Sequence, residues 1–193
     1  MKTKSWIMAF LFFAGAGAAH ATVWDFTVNL SGANEAPPNA SAGTGSGTVS
    51  IDDAAFTMQL DVTFSGLTGT TTNSHIHAAT AVPFTGTAGV ATTVPTFPGF
   101  PAGVTGGSYN QVFDMTLASS YNPAYVTANG GTTAGAFTAL LAAANGGQSY
   151  LNIHSTFATG GEIRGFLTPV PEPGSSGLLL LGTAACTLGR RRR

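Results

Sequence analysis

Nine consecutive residues, Phe56 to Phe64, alternate between apolar and polar without a break. Phe56, Met58, Leu60, Val62 and Phe64 take one parity, and Thr57, Gln59, Asp61 and Thr63 the other. Only an extended chain puts every second side chain on one face, so this stretch is a strand with one buried and one solvated side. Such a strand needs hydrogen-bonded neighbours, and one-sided burial is the habit of antiparallel sheets. Trp24, Phe26, Val28 and Leu30 alternate in the same way with Asp25, Thr27 and Asn29. Shorter strands are expected at 47–52, 74–79, 89–93, 111–117, 149–155 and 162–168, separated by Gly-, Asn- and Pro-rich punctuation.

One segment departs from period two. Between Thr133 and Ala144, Phe137, Leu140, Leu141 and Ala144 fall at helical spacing, with Gly146 and Gly147 as a stop. The stretch from Pro83 to Gly107 holds four Pro and six Gly and is expected to be mostly one long loop. The glycine-rich piece Gly43 to Gly47 reads as a strand-connecting loop, and it lacks the Lys of a phosphate-binding loop. The fold class expected is all-β: an antiparallel β-sandwich or flattened Greek-key barrel of about eight strands, with one short crossover helix.

Charge narrows the function. Only 8% of the 193 residues are charged, against about 25% in ordinary soluble domains. Between Thr22 and Val170 the single base Arg164 faces seven acids, a net charge of -6. That stretch cannot neutralise a run of phosphates, which excludes nucleic-acid binding. The one cysteine, Cys186, lies near the C-terminus, so no disulfide staples the body.

The two ends read as addresses. Lys2 and Lys4 precede an uncharged run from Trp6 to Ala18, and Ala19-His20-Ala21 offers the small-x-small pattern of signal-peptide cleavage. Residues 1–21 are therefore expected to be a signal peptide. The alternative, an N-terminal anchor, has an apolar run of only about 13 residues where about 20 are needed to span a bilayer. At the other end, Pro171-Glu172-Pro173 is followed by the apolar segment around Leu178 to Leu181 and then by Arg190, Arg191, Arg192 and Arg193. From Gly174 to Gly189 a helix would be about 24 Å long, marginal for a permanent span. Residues 169–193 resemble the PEP-CTERM sorting signal of Gram-negative bacteria; a plain C-terminal anchor is the alternative. The resemblance implies processing by an exosortase-type enzyme and transient membrane insertion of the tail. It also implies export to the outer cell surface or an exopolysaccharide matrix.

The body, expected at residues 22–168, has three histidines: His75, His77 and His154. His75 and His77 are two apart, so in a strand they share a face. With His154 on a neighbouring strand, three neutral imidazoles suit one copper or zinc ion. Glu162 would complete that shell or hydrogen-bond a ligating ring, and Asn152 falls on the face of His154. The competing reading is a closed polar network with no ion. Arg164 is expected to hold Glu35 or Glu162 in a bidentate pair, or to steer an anion beside a metal. Tyr109, Tyr121, Tyr125 and Phe100 are candidates for stacking on sugars, with ordinary packing as the alternative. No Gly-x-Ser-x-Gly elbow and no thiol nucleophile are present in the body.

Several fragments together resemble the CHRD domain family: Leu30-Ser31-Gly32-Ala33-Asn34-Glu35-Ala36-Pro37-Pro38, Gly66-Leu67, His75-Ile76-His77, Tyr150-Leu151-Asn152-Ile153-His154 and Gly161-Glu162-Ile163-Arg164-Gly165. That resemblance implies an extracellular β module with little chemistry of its own. A fainter one, to copper-zinc superoxide dismutases, rests on Gly66-Leu67 before His75-Ile76-His77 and on Asn152 to Gly165. The metal-bridging histidine, the zinc loop and the disulfide cysteines of those enzymes have no counterpart here. The function expected is a secreted, surface-sorted binding or structural module, with mononuclear copper or zinc binding as the alternative.

Overall fold

The computed structural model describes residues 22–171. The expected signal peptide with its cleavage site at Ala19 and Ala21, and the tail from Glu172 to Arg193, lie outside the described residues. Eight strands are present: β1 Val23–Ser31, β2 Thr44–Asp52, β3 Thr57–Ser65, β4 Thr71–His77, β5 Gly107–Asp114, β6 Tyr150–Ser155, β7 Ile163–Phe166 and β8 Thr168–Pro169. All pair antiparallel in one sheet of order β4-β6-β7-β1-β2-β3-β5, with β8 extending β7 along β1. The all-β expectation stands. The strands form one sheet curled into half a barrel rather than two separate layers.

The alternation seen in the sequence sets the inner face. Phe26, Val28 and Leu30 of β1, and Met58, Leu60, Val62 and Phe64 of β3, are buried. The concave side is filled by helix α2, Thr133–Asn145, through Ala136, Phe137, Leu140, Ala143 and Ala144. This is the expected crossover: it lies on the connection from β5, at one edge, to β6, beside the other. A preceding short helix α1, Pro123–Ala128, was not expected. Its signal was the pair Asn122-Pro123: the Asn122 side chain accepts from the Ala124 amide at 3.0 Å, and the proline occupies the first turn, where no amide is missed.

Two further expectations need correction. Thr44 to Gly47 belong to β2 rather than to a loop, because paired strands on both sides hold them in a nine-residue register. A side chain at Gly47 would collide with the Asp61 carbonyl, so glycine there permits close strand approach and is not a breaker. Residues 89–93 make only isolated bridges, at Val90 and Thr92. They are the start of a cover over the free edge of β4. The Ala91 amide donates to Ile76 O at 2.9 Å and the Phe97 amide to Ser74 O at 3.0 Å. In return the amides of Ile76 and Ser74 each donate, at 2.9 Å, to the hydroxyls of Thr92 and Thr96. Threonine hydroxyls thus do the work of a partner strand and close an edge that would otherwise invite pairing.

Candidate metal centre

Cross-strand register places the histidines. His75 lies opposite Asn152, and His154 opposite Asn73, so His154 is the diagonal neighbour of His75 on the outer face of the β4–β6 pair. The ring centroids of His75 and His154 are 4.7 Å apart, those of His75 and His77 5.1 Å, and those of His77 and His154 6.2 Å. One ring nitrogen from each lies within 4.8 Å of the others. Ligand bonds of about 2.0–2.1 Å put the nitrogens of a shared ion about 3.3–4.1 Å apart, so small side-chain adjustments close the site.

Each ring is oriented by a backbone carbonyl. His77 Nδ1 donates to Ala88 O at 2.8 Å, and His154 Nδ1 to Thr159 O at 2.9 Å. His75 bonds to Pro95, which has only a carbonyl to offer. The edge cover that caps β4 therefore also supplies two of the three orienting carbonyls. The opposite nitrogens, His75 Nδ1, His77 Nε2 and His154 Nε2, are buried and have no hydrogen-bond partner. Three unsatisfied acceptors close together inside a protein are costly, and one ion ligated by all three would satisfy them at once.

The protonation state suits ligation. Burial pushes the His75 pKa down to about 3, with the neighbouring His154 and His77 adding to it. Burial likewise takes His77 to about 4 against the opposing Ala88 bond, with His154 and Arg164 lowering it further. Burial also lowers His154, and the bond to Thr159 opposes it. All three rings are neutral at ordinary pH, as metal ligands must be.

The other residues singled out from sequence divide. Tyr150 stacks on His77 with centroids 4.7 Å apart and planes 5° from parallel, and Arg164 lies over the same phenol ring at 4.8 Å. Asn152 sits on this face between His75 and Arg164 in register, buried, with Oδ1 unpartnered. Arg164 is not in a bidentate pair. Its Nε donates to Asn34 O and lies 3.9 Å from Glu35 Oε2, while a terminal nitrogen donates to Gly86 O at 2.9 Å.

Glu162 is a correction. Strand β7 begins only at Ile163, and Gly161 at φ 135 turns the chain before it, so Glu162 does not share the Arg164 face. Its carboxylate instead accepts from Ser41 Oγ and the Thr68 amide, both at 2.5 Å, from the Gly69 amide at 3.1 Å, and from Ser155 Oγ. None of these donors is one of the three histidines. The sugar-stacking candidates Tyr109, Tyr121, Tyr125 and Phe100 are all buried in the core and serve packing.

The CHRD domain family model matches residues 26–167, and the PEP-CTERM protein-sorting motif matches residues 169–193. No curated protein and no solved structure matches the chain. No helix among the described residues is long and apolar enough to cross a membrane. The sorting motif marks the chain for export, exosortase-type processing and the cell surface. With a family match running from within β1 to just past β7, well over half of the chain, the chain belongs to the CHRD domain family.

Proposed function

We propose that the exported body is a non-catalytic surface module that holds one copper or zinc ion on His75, His77 and His154. A single observation carries this reading: three buried, neutral imidazoles bring bare nitrogens close together while carbonyls fix the other nitrogen of two by hydrogen bonds at 2.8 and 2.9 Å, and of the third through Pro95. A closed polar network would have paired those nitrogens within the protein. Once bound, the ion would have a coordination position for an outside ligand, because three protein donors do not fill a tetrahedral shell.

The test is metal content and titration with Cu(II) and Zn(II), comparing the wild type with a variant carrying His75→Gln, His77→Gln and His154→Gln. About one equivalent in the wild type, absent in the variant, supports the centre; equal metal in both removes it.

The place of action we propose is the outer surface or exopolysaccharide matrix of a Gram-negative bacterium, with the tail in the membrane until processing. The sorting motif supports the address, and the sparse charge and Thr- and Gly-rich surface suit a hydrated polysaccharide. Fractionation of the producing cells tests it: protein recovered in the cytoplasm alone would end this reading.

A further inference from the structure

A cleft of about 600 Å³ separates the Glu35–Pro38 segment from the turn at 84–86. It is distinct from the histidine cluster, none of whose rings line it. One wall is Pro37 and Pro38, both exposed. The other is Phe84, a residue 54% exposed. Its ring is nonetheless fixed. Phe84 has φ 57, a region bulky residues avoid, and its amide donates to Gly147 O at 2.7 Å. The ring rests on Gly147, where any side chain would strike it, and meets Phe166 edge-on at 6.0 Å. An aromatic surface held open in a strained conformation is arranged to meet something.

The floor decides what. Arg164, 4% exposed, lines the cleft together with Asn34 and Thr168. A purely apolar ligand would strip water from the exposed Asn34 and Thr168 and give nothing back. A polyanion needs several bases, and Arg164 is the only one among residues 22–171, with Glu35 beside it. A ligand with an apolar ring face and a rim of hydroxyls satisfies both the wall and the floor, and the volume lies within the range of small-molecule sites. We propose that this cleft binds a neutral oligosaccharide, with Phe84 as the platform for a sugar ring and the amide, hydroxyl and guanidinium groups of the floor taking its hydroxyls. The inference deepens the matrix reading, on which it rests for the origin of the glycan.

The full chain, purified in detergent, is titrated calorimetrically with β-1,4-linked hexasaccharides of glucose, xylose, mannose and galactose, and with an oligogalacturonate as the acidic control. At least one neutral series is expected to bind. Phe84→Ala should weaken that binding about tenfold or more, while Phe84→Trp keeps it within about threefold. Unchanged copper or zinc stoichiometry and circular dichroism in Phe84→Ala would show that the fold survives the change. Binding of no neutral series, binding indifferent to Phe84→Ala, or tighter binding of the acidic oligomer overturns the proposal. Failure here, with the protein still recovered in the matrix fraction, removes the cleft and leaves the matrix reading. A Phe84-dependent saccharide with no matrix-associated protein does the reverse.

Discussion

The buried histidines and the buried Glu35 respond to pH in opposite directions. His75 and His77 have pKa values depressed to about 3 and about 4 from 6.5. Below about pH 6.5 the unfolded chain takes up protons that the folded chain refuses, so their contribution is complete above that pH and is lost as pH falls toward the folded values. The variant His75→Gln with His77→Gln should therefore lose less stability than the wild type between pH 7 and 4.5, by on the order of 5 kcal/mol, read from urea unfolding without metal. Glu35 runs the other way. Burial lifts it from 4.5 to about 7, against Arg164 and the Ala36 amide. The folded state keeps a proton that the unfolded state gives up between those values, so stability falls as pH rises through the window. Glu35→Gln should gain about 2 kcal/mol on the wild type between pH 5 and pH 8 in the same assay; no relative gain would mean that Glu35 is ionised in the fold. At this scale the pairing of His75 with His77 was legible, since an i, i+2 spacing in a strand admits one geometry. The bond partners of Arg164 were not, because they are the backbone carbonyls of Asn34 and Gly86, which any residue type supplies.

Among the elements, Glu162 acts as the knot of one end of the sheet. Its carboxylate ties the chain before β2, through Ser41, to the β3–β4 connection, through Thr68 and Gly69, and to the end of β6, through Ser155. Burial acts to raise its pKa, yet the bonds from Ser155, Ser41, Thr68 and Gly69 outweigh that and hold it below the ordinary value. Glu162→Ala strands these donors at a fully buried position, and a loss of about 3–5 kcal/mol is expected from urea midpoints. Metal stoichiometry at temperatures where the variant is folded should stay the same, which separates a structural knot from a group serving the histidines. The strands with unbroken alternation were legible because each apolar parity meets the core. The edge cover at 88–97 and the turn at Gly161 were not. Their geometry comes from side chain to backbone bonds with partners far along the sequence, and no local period records those.

For the molecule as a whole, the three histidines link two strands and a long loop, so an ion bound there stabilises more than its immediate shell. His75 and His77 stand on β4, the edge strand, His154 stands on β6, and the carbonyls orienting the rings come from Ala88 and Pro95 of the edge cover and from Thr159 in the β6–β7 turn. No disulfide braces this edge, since the only cysteine is Cys186. An ion that binds the folded chain at 100 times its dissociation constant adds about 2.7 kcal/mol. For a body of this size that corresponds to a rise in Tm of roughly 5–10 °C. Scanning calorimetry with and without Zn(II) should show that rise in the wild type and none in the triple histidine variant. The edge should also lose its protection against amide hydrogen exchange first when metal is absent, at Ile76 and Ser74, whose amides depend on Thr92 and Thr96. Protection at those two amides that does not respond to the ion would show that the cover is held by its threonines alone, and that metal and edge are energetically separate.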